Sequence, residues 1–591
     1  MEFIAFMLQK GVSVERGLLV SMIVCALFWY FFNFFGIKLA MFTGADGTKM
    51  RVRRLDNTVG YLGSNADLRF PAPRGSKSKR VQGFFNYSVS GGEWKYIPKN
   101  SSAEQVIPDG AATTFFGQEV EFASYLGEKG KGPADFCMIL MVIMCLLSAA
   151  FQVMVFIQAT SHYPADLKHL SQWLLVLFVL GLAFFIIGLT NAGPENIFIN
   201  LLSFVACAIF PSENLIISTG IGWFVLLALP FILESAFPYF NKDLLKRPGL
   251  KIRLTIRNLV SLLAFAVVLF AALGKGDYVN IVISNIDIQV TDLPLLILMV
   301  SCVSSIRSKP ADIFFTGLLI FLSVGAMMIA AGENGMSLVM ILVLLLIASV
   351  RVLPYIGLNS NIAGLLLLVS IFAVTAGFGA IVEYNGARNS QASETPAAGG
   401  PTPTPQSEST TQKIAKRLEY WKNDYPLDAT GDDRPIQVER LRITAASGGY
   451  DGFGPMQGEY RSAVLQAQVD LSVGVVLEEF GLVNGSLLIA MVFLVAIGYC
   501  FHGARAYKFH YALMCYTASF FIAVKAFINF ASSTGMAFDI GPLRIGMPIV
   551  GVPMPFLARA GGSVLILFVC LSFAEASKVF TKKMRRYVKK G

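Results

Sequence analysis

Charge is scarce in this chain. Only 15% of its 591 residues are Asp, Glu, Lys or Arg, while 55% are apolar. A soluble globular protein carries roughly 25% charged and 45–50% apolar residues. The shortage excludes a soluble enzyme, a disordered chain and a fibrous one. Histidine is rarer still, with four residues at 162, 169, 502 and 510, too scattered to build a metal site. The eight cysteines (Cys25, Cys137, Cys145, Cys207, Cys302, Cys500, Cys515 and Cys570) lie in or beside apolar blocks without metal-ligand spacing. They read as free thiols that act as small hydrophobes. What abounds is Phe, 48 residues of it, and the mean hydropathy is +0.61. Many apolar blocks approach the roughly 20 residues of a membrane span. The expected fold is an all-α polytopic membrane protein of about 12–13 transmembrane helices with a small β-rich soluble insertion.

The blocks lie near 17–42, 135–158, 172–190, 197–212, 214–237, 253–273, 291–306, 311–330, 335–353, 359–382, 464–500, 509–533 and 559–577. Glu15 and Arg16 precede the first, which reads as a retained anchor rather than a cleaved signal peptide. Between 197–212 and 214–237, Pro211, Ser212 and Glu213 leave little room for a turn, so the pair is either two spans or one broken segment.

The net charge is +10. The basic residues cluster beside apolar spans, so the positive-inside bias accounts for them and no nucleic-acid partner is expected. After residue 577 come Lys578, Lys582, Lys583, Arg585, Arg586, Lys589 and Lys590 with no acid, which makes 578–591 a basic cytoplasmic tail. Alternating back from it, the basic turns at 501–508, 307–309 and 242–257 fall inside, and 383–463 falls outside as a large extracytoplasmic loop. The expected organisation is an anchor span over 1–42, a small soluble domain over 43–133 on the cytoplasmic side with short strands around 81–96, and extra spans over 134–196. A membrane core over 197–577 follows. Within the outer loop, 386–412 is a Gly, Ala, Pro, Ser, Thr and Gln linker that cannot bury a core.

Charged groups in spans face a bundle interior or a cavity. Asp292 opens one span, and Glu333 interrupts two apolar runs. Asp470, Glu478 and Glu479 lie at the outer side and in the body of the 464–500 block. Lys525 and Asn529 sit four apart in the next span, and Arg559 precedes Gly561, Gly562 and Ser563. Each has a plainer reading: Asp292 as a helix cap, Glu333 in a turn, Asp470 as a solvated carboxylate, Gly561–Gly562 as a close packing contact. Lys525 is expected to be paired, with Glu478 or Glu479 the nearest partners by order. Together these residues converge on the outer half of adjacent spans. They describe a site open to the outer face, suited to an amphiphilic or lipid-linked ligand.

The ordered set resembles the shape, elongation, division and sporulation family of membrane glycosyltransferases, the FtsW/RodA/SpoVE type. Gln437 followed by Ala446-Ser447-Gly448-Gly449 is similar to its Gln-Ser stretch ending in Ser-Gly-Gly, and Gly452-Phe453-Gly454 to its Gly-x-Gly element. Gln468-Val469-Asp470-Leu471, then Glu478-Glu479-Phe480-Gly481, resembles His-Thr-Asp-Phe and Glu-Glu-Leu-Gly at the family interval. Ala526-Phe527-Ile528-Asn529, Pro555-Phe556 and Gly561-Gly562-Ser563 resemble later motifs. Thr291-Asp292-Leu293 and Glu333-Asn334-Gly335 stand where two earlier ones would be. The sequence departs from the pattern at Gln468, in place of histidine, and at Arg559-Ala560, in place of the tyrosine before Gly-Gly.

The resemblance implies polymerisation of a lipid-linked disaccharide, carried on undecaprenyl pyrophosphate, at the outer face of the bacterial cytoplasmic membrane. A class B penicillin-binding protein or another envelope membrane protein would be the partner, with membrane lipids around the bundle. Asp470 matches the family's essential aspartate and would be the general base. Gln437, Ser447, Gly448, Lys525, Arg559, Gly561, Gly562 and Ser563 are candidates for binding substrate or pyrophosphate. Asp292, Glu333, Glu478, Glu479 and Asn529 are candidates for support. No particular cofactor is read from the residues, and a divalent cation such as Mg or Mn is the candidate that would suit the pyrophosphate. The alternatives are an inactive structural subunit of an envelope complex and, further off, a lipid flippase or transporter.

Overall fold

The computed structural model of the chain describes residues 2–35, 131–160, 165–188, 193–240, 253–274, 292–302, 322–323, 334–347, 434–458, 468–505, 509–534 and 552–590, together with short paired strands. Its helices are α1 Glu2–Phe35, α2 Lys131–Thr160, α3 Ala165–Gly188, α4 Pro194–Ile209, α5 Glu213–Phe240 and α6 Ile256–Gly274. They continue as α7 Leu293–Cys302, α8 Asn334–Ile347, α9 Arg434–Ser447, α10 Ser472–Arg505, α11 Phe509–Thr534 and α12 Gly561–Lys590. Among the described residues, six are long and apolar enough to cross a membrane: α1, α2, α5, α10, α11 and α12. Shorter apolar helices lie within α3, α4, α6 and α8. The chain is a mostly helical, multi-pass membrane protein. The blocks expected at 311–330 (apart from 322–323) and 359–382, and the linker 386–412, lie outside the described residues.

The doubtful pair is two helices. Pro211 cannot extend α4, and the Ser212 hydroxyl accepts the Leu215 N–H at 3.3 Å, which caps α5. Two boundaries differ from expectation. Helix α1 starts at Glu2, so Glu15 lies inside it rather than before it. Its buried carboxyl is tolerated because Gln152 on α2 donates to it. Helix α12 runs on through the basic tail to Lys590.

Helix α12 lies along α5, α10 along α11, and α1 along α2 and α10. Helix α4 is apolar around its circumference and almost wholly buried, as a helix at the centre of a bundle must be. Phe198 and Phe204 from its length and Phe210 just past its end join Phe156, Tyr499 and Phe521 as the largest buried side chains. Val20, Val24, Leu27, Phe28 and Phe31 of α1 and Leu175, Val176, Val179 and Leu180 of α3 are exposed. Such apolar outer faces suit hydrocarbon.

Short antiparallel strands fill the described residues between Met41 and Phe122. One set pairs Lys49–Arg51, Met41–Gly44, Gln118–Phe122 and Ala112–Phe115 in that order. The other pairs Ala66–Arg69, Arg80–Ser88, Glu93–Pro98 and Gln105–Pro108. Hairpins also form at Asn280–Ile283 with Ile286–Gln289 and at Ala537–Ile540 with Leu543–Gly546. The first sits against α12.

Candidate active site

Four helix ends meet at one end of the bundle. Asp292, just before α7, Lys525 on α11 and Ser563 on α12 close a ring. The Lys525 ammonium donates to Asp292 Oδ1 at 3.1 Å and to Ser563 Oγ at 3.2 Å. Ser563 in turn donates to Asp292 Oδ2. Each is at most 5% exposed, and a buried ion pair survives only when hydrogen bonds complete it. Lys525 is thus paired, but with Asp292 rather than with Glu478 or Glu479. Proximity in sequence pointed to the wrong helix. The Lys525 ammonium also stands 5.2 Å from the Phe521 ring centroid.

One turn further along α11, Asn529 joins two loops. Its Nδ2 donates to the Asp470 C=O at 2.7 Å and to the Val552 C=O at 2.8 Å. Asp470 is therefore fixed through its backbone, and it lies half-buried in the turn before α10 begins. Burial pushes the carboxyl up to about 6, against the pull of the Lys525 charge. The neighbouring Arg559 is exposed and bonds Gln468 through both backbone and side chain. So Asp292, Asp470, Lys525, Asn529, Arg559 and Ser563 are brought together from four separate stretches of sequence.

Other candidates fall elsewhere. The segment from Ser447 to Gly458 packs on a break in α10. Gly481 has φ +72° inside that helix, a conformation that favours glycine. The break lets the Phe453 and Gly454 N–H groups donate to the Glu478 and Glu479 carbonyls at 3.1 and 2.8 Å. Leu482 N–H donates to the Gly449 C=O at 2.8 Å. Gly448 is pressed against the Leu477 and Glu478 carbonyls, and Ser447 Oγ donates to the Thr444 C=O at 2.7 Å. These two residues build the loop instead of facing a ligand. Glu479 accepts the Met456 N–H at 2.9 Å, and the buried Glu478 carboxylate lies against Gly458. Gly561 is a packing contact, because a Cβ there would meet the Asn214 carbonyl and Ser218 Oγ at 3.0 Å. Gly562 is buried beside it. Gln437 falls on α9, its side chain outside the description, and Glu333 lies outside the described residues. Among the described residues no three His, Cys, Asp or Glu side chains group to hold a metal.

A second polar cluster escaped the sequence reading. At the opposite end of the bundle, Glu195 of α4 is bonded by Lys578 of α12 and by Tyr30 of α1 at 3.1 Å, and His502 Nε2 of α10 stands 2.9 Å from its carboxylate. Lys578 also meets Glu575 at 2.5 Å, and Glu575 accepts from Tyr499 at 2.7 Å and Asn196 at 3.2 Å. Lys578 is thus a buried partner and not a solvated tail charge. The available signal was the Glu575–Lys578 spacing of three at the end of an apolar span, which the run of later lysines masked.

A buried ion-paired knot lies under a half-buried carboxylate at one end of a multi-pass helical membrane bundle. The family of cell cycle proteins FtsW/RodA/SpoVE matches residues 196–579, and the chain belongs to it. The chain is 28% identical over 162 residues to a probable peptidoglycan glycosyltransferase FtsW of Lactococcus lactis subsp. lactis, covering 27% of this chain and 36% of that one. It is 30% identical over 150 residues to a protein of the same description from Hydrogenovibrio crunogenus, covering 24% and 36%. These matches span about a third of the length of either relative. Among solved structures, a peptidoglycan synthase complex described as coordinating polymerization and crosslinking matches at 16% identity and TM-score 0.42, over 68% of this chain and 97% of that one. A mutant of the Thermus thermophilus rod shape determining protein RodA matches at 15% and 0.37, over 68% and 96%.

Proposed function

We propose that the chain polymerises a lipid-linked glycan of the peptidoglycan type at the outer face of the bacterial cytoplasmic membrane. The observation that carries this is Asp470: a half-buried carboxylate whose backbone is anchored, beside Lys525, in a chain of this family. A sugar hydroxyl attacking the anomeric carbon of a polyprenyl-pyrophosphate donor must give up its proton. A fixed carboxylate titrating near about 6 can take it at neutral pH. The bond to the pyrophosphate breaks as the new glycosidic bond forms, and the pyrophosphate leaves with the lipid. Among the described residues, Arg559 is the exposed cation on this side to meet that charge, while Lys525 is held in the buried ring. A divalent cation such as Mg or Mn would arrive with the pyrophosphate. The described residues offer it no cage of their own, and no step here depends on it.

The basic segments and the helix directions together support a sidedness. Helix α1 runs from Arg16, bonded to Asp451 of the Gly-rich loop, to Tyr30, bonded to Glu195 at the opposite end. With the basic segments cytoplasmic, Asp470 is outside and the strand-rich segment between α1 and α2 is inside, as a small domain against the membrane. A class B penicillin-binding protein is the partner the family resemblance suggests. The test is purified protein incubated with lipid-linked disaccharide, with products sized by electrophoresis. Glycan ladders from wild type and none from Asp470→Asn support the reading. Equal ladders from both, or none from wild type, reject it.

A further inference from the structure

Two loops meet above the Asp292–Lys525–Ser563 ring, and one residue pair joins them. Arg559 donates its backbone N–H to the Gln468 C=O at 2.7 Å and its Nη1 to Gln468 Oε1 at 2.8 Å. Gln468 stands two residues ahead of Asp470, whose own carbonyl is held by Asn529 at 2.7 Å. The stretch from Gln468 to Asp470 is therefore pinned at both ends, and Arg559 is one of the pins.

The chemistry of the pin is specific. Arg559 is exposed, and among the described residues no carboxylate pairs with it. A guanidinium has five N–H donors in a planar fork. Gln468 occupies one and fixes the plane, leaving the others for an anion. A neutral amide orients the guanidinium without cancelling its charge, which a carboxylate at that position would do. Lys525 cannot take this role as it stands, since it is 2% exposed and bonded to Asp292 and Ser563.

We propose that Arg559, presented by Gln468, is the group that binds the phosphates of the lipid donor, and that Gln468 is its positioning residue. Lys525 instead sets the charge environment of Asp470. The ligand, a polyprenyl pyrophosphate, is taken from the proposed function.

The test measures binding of undecaprenyl pyrophosphate to the detergent-solubilised full chain, with uncharged undecaprenol as control. Charge-assisted hydrogen bonds are worth several-fold to about a hundredfold in affinity. Arg559→Ala should weaken pyrophosphate-lipid binding about 10- to 100-fold and leave undecaprenol binding within about twofold. Gln468→Ala should weaken it less, about 3- to 10-fold. Gln468→Glu keeps the clamp but neutralises the guanidinium, so it should cost as much as Arg559→Ala, an outcome a merely structural clamp would not give. Unchanged melting temperature and undecaprenol binding certify folding, and Arg559→Gln replaces Arg559→Ala if the latter does not fold. Equal binding of the pyrophosphate lipid by all variants overturns the proposal even where polymerisation proceeds. Arg559-dependent binding without polymerisation by wild type upholds it and rejects the polymerase reading.

Discussion

Asp470 titrates from a raised position because its carboxyl is partly withdrawn from water, and this has two consequences of opposite sign. As a base it must be ionised, so turnover should rise with pH through about 6 and level off above. For stability, the folded chain holds the proton more tightly than the unfolded chain, whose aspartate titrates near 3.8. Stability contributed by this group is therefore greatest at low pH, falls as pH rises from about 4 to about 6, and stays low above. The shift corresponds to a cost on the order of 3 kcal/mol. Asp470→Asn should lower turnover about 10²–10⁴-fold yet raise the melting temperature at pH 8. A lower melting temperature there would show that the carboxylate is stabilised in the fold. Lys525→Met should destabilise by about 3–5 kcal/mol, because it strands Asp292 as a buried unpaired charge. Adding Asp292→Asn should recover much of that loss, and a fully additive double variant would refute the pair. That Lys525 needed a partner was legible in the sequence, since an ammonium in a span is costly alone. The partner was not, because spacing along the chain ranks helices by order, and Asp292 comes from one 233 positions away.

Among the elements, α10 shows how a sequence signal can be right in position and silent in purpose. The interval from Asp470 to Glu478 and Glu479 was legible, and the two glutamates read as support, but what they support was not. In the fold, the two glutamates and Gly481 form the seat for the Gly-rich loop. A Cβ on Gly481 would lie 2.5 Å from the Gly452 nitrogen and the Tyr450 carbonyl, so the backbone itself would have to move. Gly481→Ala should detach the loop, and limited proteolysis should then cut between residues 448 and 458, where wild type resists. Resistance equal to wild type would mean that the helix closes up instead. The end of α4 was only half legible. Pro211 announced a stop, but the Ser212 cap that starts α5 two residues later carries too short a signal to separate a turn from a kink.

At the scale of the whole molecule, α1 is tied at two levels, near its middle and near its C-terminal end. Arg16 pairs with Asp451 of the Gly-rich loop at 2.6 Å, and Tyr30 donates to Glu195 at 3.1 Å. Tyr30→Phe should destabilise by about 1.5–3 kcal/mol, since the lost bond is to a charged acceptor, and unfolding in detergent would register it. A neutral result would mean that His502 and Lys578 alone satisfy Glu195. Sidedness is checked by a cysteine at Ser407, which should label from outside intact cells, while one at Lys589 should not. Six of the expected spans were legible from apolar length. The Glu195–Lys578 cluster was not, because its members are scattered over four helices and each looks ordinary alone. The same wiring bears on how the chain is made. Helix α1 meets Asp451 only after 435 further positions, and Glu195 waits 383 for Lys578. Until the Gly-rich loop is made α1 lacks its Asp451 partner, and until α12 is inserted Glu195 sits without its lysine. Insertion and assembly are therefore separate stages here, and a chain stalled before α12 should be held by membrane chaperones and cleared by proteases, however well its early spans are threaded.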